Sequence, residues 1–382
     1  MNDRFPRART AIVGAATFGE GRCPGYEPYD MAAIAARDAL AQCGLSFADV
    51  DGVFATTSND TFGGAMHFAQ YCGIRPRVMD NSRSGGNVFE SYVERAVWLL
   101  EAGLIDCALI AYGSNQASAL GKLTNTNRPF PYEAPYRPVN PMTSYALAAK
   151  RHMHQYGTTK EQLGEVALAA RKWAQLNPDA VSRAPLTMDE YLAARMISDP
   201  FGKLDCCLVT DGAAAAVLTR ADRARDLATT PIAVLGAASM TTHSHILAMP
   251  DLTVTPLAEC GPRALAQAGL TPADIDLAEL YDAFTINPIL FLEDLGFCPK
   301  GEGGRFVEGG AIAPGGKLAV NTNGGGLSCV HPGMYGLFTI VEAVRQLRGD
   351  AGDRQVANAR TAIAQGNGGV LSSQAIVVLG VE

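Results

Sequence analysis

Two kinds of segment alternate along the chain. Short, uniformly apolar runs stand at residues 10–17 (TAIVGAAT), 53–56, 107–111, 231–239 (PIAVLGAAS), 277–281, 361–364 and 375–380. Runs of that length without polar alternation read as strands covered on both faces. Between them lie longer segments whose apolar positions recur every three or four residues. Leu337, Ile340, Val341, Val344 and Leu347 are one such series, and residues 142–156 and 159–176 give two more amphipathic helices. The second of these carries the cap signal Thr158-Thr159 with Glu161 and Glu165 early in the helix. Strands alternating with helices predict an α/β protein with helices on both faces of its sheets.

The pattern occurs twice. Residues 39–51 read ALAQCGLSFADVD and residues 264–276 read ALAQAGLTPADID. Each block is a helix end, a Gly-Leu stop, an acidic cap and a strand entry. The turn Asn81-Ser82-Arg83-Ser84-Gly85-Gly86 corresponds in turn to the glycine run at Gly324, each opening a long helix. Two copies of a strand–helix–strand–helix–strand unit therefore make up the ends of the chain, with halves at 1–230 and 231–382. The expected architecture has five layers, α-β-α-β-α, with equivalent turns meeting near a pseudo-twofold axis. A region at about 118–200 is inserted in the first half. Its Pro- and aromatic-rich part, 129–138, suggests room for a bulky apolar or aromatic group.

Composition narrows the function. Of 382 residues 48% are hydrophobic, enough for a large buried core. The net charge of −7 is dispersed and no Lys/Arg block occurs, which argues against nucleic acid and against anionic membrane surfaces. No apolar run reaches the roughly 18 residues of a membrane span. The start, Met-Asn-Asp-Arg-Phe-Pro-Arg, lacks a signal-peptide core. Nine cysteines without regular spacing read as reduced thiols, so a cytoplasmic location is expected, with neither a metal site nor a permanently bound cofactor. Adjacent Cys206 and Cys207 read as strand core. His152 and His154 read as surface residues, as do His243 and His245, and Asp282 as a loop anchor through backbone N–H groups.

The candidate chemistry gathers in residues 321–349, NTNGGGLSCVHPGMYGLFTIVEAVRQLRG. Glycines let backbone approach a ligand closely, and the helix behind them begins with unpaired N–H groups. Cys329, His331 and Tyr335 lie within seven residues of each other.

Four segments resemble the thiolase superfamily, within it the sterol-carrier-protein type: residues 144–167, 205–218 (DCCLVTDGAAAAVL), 279–284 (ELYDAF) and 321–336. The resemblance spans the chain and implies the thiolase fold, acyl-CoA thioesters as substrates (coenzyme A entering as part of the substrate) and at least a homodimer. Thiolases of this kind use two cysteines, a His-Pro histidine and an Asn or His before the Asp-x-Phe motif. Here the acyl-cysteine position matches Ser82. The C-terminal cysteine position falls in Gln365-Gly366-Asn367-Gly368-Gly369, and Tyr281 precedes Asp282-Ala283-Phe284. His331 is retained.

Without a thiolate to carry an acyl group, thiolysis loses its covalent intermediate. Retro-aldol cleavage of a 3-hydroxyacyl-CoA needs only a base, an acid and an oxyanion hole. Thiolase-like aldolases that shorten steroid side-chain CoA esters resemble this pattern, with cysteines lost and tyrosines gained, and they work with a zinc-ribbon/OB-fold accessory subunit. The resemblance thus implies Tyr281 and Tyr335 as proton-transfer groups and His331 on the thioester oxygen. Gly325 and Gly326 in one turn, and Asn367 and Gly368 in the other, are expected to contact substrate. Two readings stay open beside it: an acetyl-CoA acetyltransferase or 3-ketoacyl-CoA thiolase using Cys329 or Ser82, and a non-catalytic acyl-CoA-binding subunit.

Overall fold

The computed structural model describes residues 5–58, 63–121 and 131–382. Ten strands form its main sheet: β1 (Thr10–Gly21), β2 (Gly52–Thr57), β3 (Val78–Asp80), β4 (Cys107–Ser114), β5 (Asp211–Arg220), β6 (Ile232–Thr241), β7 (Leu277–Glu279), β8 (Ala319–Val320), β9 (Thr361–Gly368) and β10 (Ser373–Gly380). Their order is β8-β7-β9-β10-β6-β1-β5-β4-β2-β3. Taken outward from the centre, the two flanks match strand for strand. They join through the antiparallel pairs Ala11↔Ala233 and Ile12↔Ile232.

The duplication extends to single hydrogen bonds. Helix α1 (Pro28–Gln42) stops at Gly44 (φ +75°), and Leu45 N–H returns to Leu40 O at 3.0 Å. Its counterpart (Leu257–Ala268) stops at Gly269 (φ +69°), and Leu270 N–H returns to Leu265 O at 3.0 Å. Both stops are left-handed, which is where glycine is favoured. Gln42 accepts from Ala15 N–H at 3.0 Å, as Gln267 does from Ala237 N–H at 2.9 Å. Ser46 Oγ donates to Asp49 as Thr271 Oγ1 donates to Asp274.

The layers follow from what each helix touches. α1 lies on β1, β4 and β5, and its counterpart lies on β6 and β10. Between the two halves run α2 (Val88–Glu101) and α3 (Gly336–Arg348). Each touches strands of both halves, and they touch one another. That is an α-β-α-β-α sandwich whose central layer is two helices, α2 following the Gly85-Gly86 turn and α3 starting at Gly336, beyond the Gly324 run and the extended segment at His331.

The inserted region contributes α-helices Met142–Tyr156 and Lys160–Gln175. The second is capped by Thr159, whose side chain accepts from Gln162 N–H while Gln162 Oε1 accepts from Thr159 N–H. Residues 122–130, including part of the stretch expected to accommodate a bulky group, lie outside the described residues; Tyr132 and Tyr136 beyond them are exposed. No described helix is long and apolar enough to cross a membrane. Two sequence expectations need correction here. His152 is buried, its ring held by Thr158 Oγ1 at 2.7 Å and Glu293 at 3.0 Å, because the helix face it shares turns onto the second half. His243 is buried as well, against Val370 O, while His245 pairs with Glu133 at 3.1 Å.

Candidate active site

Three chain segments meet above the central helices. β7 runs into Leu280-Tyr281-Asp282-Ala283-Phe284, where Leu280 N–H is held by Asn321 Oδ1 at 2.6 Å and Tyr281 N–H by Gln365 Oε1 at 3.0 Å. The glycine run makes a π-helical turn, Gly325–Cys329, entered through Gly324 at φ 104°. A Cβ on Gly324 would stand 2.7 Å from Ala174 Cβ, so only glycine fits that approach. The turn is closed by Asp282, whose carboxylate accepts from Gly326 N–H at 2.6 Å and Leu327 N–H at 3.2 Å, as a loop anchor should. His331 follows in extended backbone, clamped by Thr210 Oγ1 on its N–H (3.0 Å) and by Gln116 Nε2 on its carbonyl (2.9 Å).

These segments line a cavity of about 450 Å³. Of the nine expected residues, Tyr281, His331 and Asn367 reach it. The Tyr281 ring stands edge-on to His331, with centroids 5.6 Å apart. The backbone N–H of Tyr335 donates to the Tyr281 hydroxyl oxygen at 3.1 Å. His331 is 3% exposed, and both ring nitrogens are buried without a partner among the described residues. Burial moves its pKa down to about 4, so the ring is neutral. It offers the cavity one N–H and one lone pair. Burial, with the Cys207 thiol as a lesser cause, pushes the Tyr281 phenol well above its ordinary value, against the Tyr335 N–H that favours the phenolate.

The other six expected residues stand outside the lining of this cavity. Tyr335 is wholly buried behind Tyr281, and its hydroxyl donates to Asn323 Oδ1 at 2.9 Å instead of lining the cavity. Cys329 is buried beside Asn177, whose amide donates to its sulfur at 3.4 Å. Ser82 Oγ turns away to Asp80 at 2.7 Å. Gly325 and Gly326 spend their N–H groups on Asn323 Oδ1 (2.8 Å) and Asp282. Gly368 lies in β9 against Gly85, packed away from the cavity. Protein partners already hold groups of five of these residues, and Gly368 is packed against Gly85.

Residues that the sequence did not single out are as informative. Tyr145 lines the cavity, its ring 4.4 Å from that of Phe284 and its hydroxyl between Asn367 and Gly369. Both Tyr145 and Phe284 stand in family-like segments, the only sequence signal for them. Arg83 and Ser84 stand at the cavity's edge. Cys207, expected as strand core, lies outside the sheet; its N–H bonds Ala283 O at 2.9 Å and its side chain lines the cavity. Burial holds that thiol well above its ordinary pKa, which suppresses the thiolate.

A second cavity of about 560 Å³ shares Cys207 and Phe284 with the first. Its walls are mainly apolar and, among the described residues, include Arg171 and Lys203 but no acidic side chain. Arg171 is 8% exposed and bonds Ser328 Oγ (3.1 Å) and Ala184 O (2.9 Å).

Gly86 offers a direct test of Tyr281's placement. A Cβ there would stand 2.6 Å from the Tyr281 hydroxyl. Gly86→Ala is expected to displace the ring and lower kcat/KM for the natural reaction by about tenfold or more, as small misplacements do. Circular dichroism should show the fold retained, and unchanged kinetics would refute the placement.

The architecture and this site define an α/β enzyme of the thiolase fold whose cavity presents a phenol and a neutral imidazole. The chain belongs to the thiolase superfamily, in its sterol-carrier-protein-type branch of thiolases and thiolase-like acyl-CoA aldolases. Residues 238–381 match the family model for the thiolase C-terminal domain-like family. The chain is 35% identical, over 89% of its length and 92% of the relative's, to the 17-hydroxy-3-oxo-4-pregnene-20-carboxyl-CoA lyase of Mycobacterium tuberculosis. It is 33% identical to the acetyl-CoA acetyltransferase of Methanothermobacter thermautotrophicus, over 96% and 98% of the two chains. The solved structure of an Ltp2-ChsH2(DUF35) aldolase superposes with TM-score 0.88 at 31% identity, covering 98% of each chain.

Proposed function

We propose that the protein cleaves the Cα–Cβ bond of a 3-hydroxyacyl-CoA by a retro-aldol reaction. The observation that carries this is His331, buried, neutral and with both nitrogens unclaimed among the described residues, edge-on to the Tyr281 ring at the cavity wall. The imidazole lone pair takes the proton of the β-hydroxyl. The C–O bond then becomes a carbonyl as the Cα–Cβ electrons move into the thioester, forming its enolate. Tyr281, kept protonated by burial, delivers a proton to Cα and recovers one from the imidazolium. Its phenolate stage is stabilised by the Tyr335 N–H. Tyr335 thus acts through Tyr281, as a positioning residue.

The neighbouring apolar cavity suits the pantetheine arm of coenzyme A, with Arg171 and Lys203 available for anionic oxygens. Two partner proposals accompany this reading. The edge strand β3, with Met79 half exposed, offers a surface for a second copy of the chain. The likeness to the Ltp2-ChsH2(DUF35) aldolase supports an accessory subunit.

Acyl transfer is the second reading. It rests on the likeness to an acetyl-CoA acetyltransferase and on Cys207, the cysteine that lines both cavities. Mass spectrometry of the products separates the two. The protein, alone and with a zinc-ribbon partner, is given a 3-hydroxyacyl-CoA, or a 3-ketoacyl-CoA with free CoA. The retro-aldol reading expects a carbonyl product and a shortened acyl-CoA from the hydroxy substrate without CoA consumption, unaffected by Cys329→Ala or Ser82→Ala. CoA-dependent cleavage of the keto substrate that disappears in Cys207→Ala would establish the other reading.

A further inference from the structure

Asn367 and Gln374 face each other across β9 and β10, and Gln365 lies on the same face two residues from Asn367. Their amides form one directed chain. Tyr281 N–H donates to Gln365 Oε1 at 3.0 Å, Gln365 Nε2 to Gln374 Oε1 at 2.6 Å, and Gln374 Nε2 to Asn367 Oδ1 at 2.7 Å. Asn367 Nδ2 then donates to the Tyr145 hydroxyl at 2.8 Å, and that hydroxyl to Gly369 O at 3.0 Å. All three amides are buried, Gln365 and Gln374 completely.

The direction of this chain is set at its first link. A backbone N–H can only donate, so Gln365 must turn its carbonyl to Tyr281 and its NH₂ onward. Each later amide is oriented by the one before, since a flip would set carbonyl against carbonyl or NH₂ against NH₂ in a buried site. The consequence falls on Asn367, which lines the cavity. Its carbonyl is held inward and its NH₂ is turned out. One of the two N–H groups goes to Tyr145, and the other has no partner among the described residues.

We infer that Gln365 and Gln374 are positioning residues that orient the Asn367 amide so that its unclaimed N–H donates to the substrate's thioester oxygen as the enolate forms. This rests on the retro-aldol reading. It ties the oxyanion donor to the same loop that holds Tyr281, so donor and acid are set by one hydrogen-bonded unit.

The test is a pair of flips. In Gln374→Glu an ionised carboxylate still accepts from Gln365 but cannot donate to Asn367 Oδ1, so Asn367 turns its carbonyl to the cavity. kcat for the 3-hydroxyacyl-CoA should fall about tenfold or more with KM little changed, because the lost donor matters most in the transition state. Lowering the pH restores a proton to the carboxyl and, with it, a donor, so kcat of this variant should recover toward the acid side relative to the wild type. Gln365→Glu should give the same phenotype through two links, and serves if Gln374→Glu does not fold. In an Asn367→Ala background neither substitution should cost anything further. Additive losses, or a loss without pH recovery, overturn the inference while leaving the reaction standing. Absence of cleavage by the wild type overturns the retro-aldol reading and this inference with it.

Discussion

Tyr281→Phe is expected to lower kcat for cleavage by about 10²- to 10⁴-fold, the range spanned by positioned acid–base groups. The substitution removes one oxygen from a ring that is otherwise fixed by packing. That oxygen is the only atom of the side chain that accepts the Tyr335 N–H, and it lies at the cavity wall beside His331. Binding of the acyl-CoA should persist, since the ring and its contacts remain. The informative comparison is Tyr335→Phe. Tyr335 holds Tyr281 through its backbone N–H, which phenylalanine keeps, and its own hydroxyl donates to Asn323. Its loss should therefore be much smaller. Equal and large losses at both positions, measured as single-turnover rates, would place the Tyr335 hydroxyl in the chemistry and overturn its role as a positioning residue.

His331→Leu should cost about 10²- to 10³-fold in kcat, as removal of a preorganised donor or acceptor does. Leucine fills the space but leaves the β-hydroxyl with no lone pair to take its proton. The pH profile carries a second check. The His331 pKa lies at about 4 because burial disfavours the imidazolium. As pH falls through that value the ring gains a proton and loses its lone pair, so activity should drop only there, with no step at about pH 6 to 7 where an ordinary histidine titrates. On the alkaline side, the raised Tyr281 pKa keeps the phenol protonated through neutral pH and beyond its ordinary range. A wide plateau of kcat is therefore expected in the wild type. An acid limb centred near the ordinary histidine value of about 6.5 would show that His331 is solvated during turnover.

Part of this site is legible in the amino-acid sequence. The Tyr281-Asp282-Ala283-Phe284 and His331-Pro332 segments are short motifs whose positions follow from sequence alone, and Asp282 anchors its loop through N–H groups as expected. Tyr145 cannot be assigned in that way. Its partner Asn367 is 222 residues distant, and nothing in a helix pattern marks which face will close a cavity. Cys207 departs from expectation for a related reason. Alternation along a strand predicts a core thiol, whereas the segment lies outside the sheet, where Cys206 bridges Phe284 and Cys207 N–H bonds Ala283 O.

What the sequence by itself determined is the duplicated α/β framework. Helix stops at Gly44 and Gly269, caps at Ser46 and Thr271, and apolar strands all depend on contacts within a few residues, so their signals are local and repeat where the unit repeats. The tertiary structure alone decided which chemical groups face the cavity. Tyr281 and Tyr335 are equivalent as residue types near glycine turns, yet one hydroxyl reaches the cavity and the other is taken by Asn323. Gly325 and Gly326 are open donors as far as sequence goes, but Asn323 and Asp282 claim their N–H groups. Buried polar groups must find partners, and some of these, such as Asp282 for Gly326, come from segments brought together only on folding. The groups left without a partner among the described residues, both nitrogens of His331 and one N–H of Asn367, are thereby available to substrate.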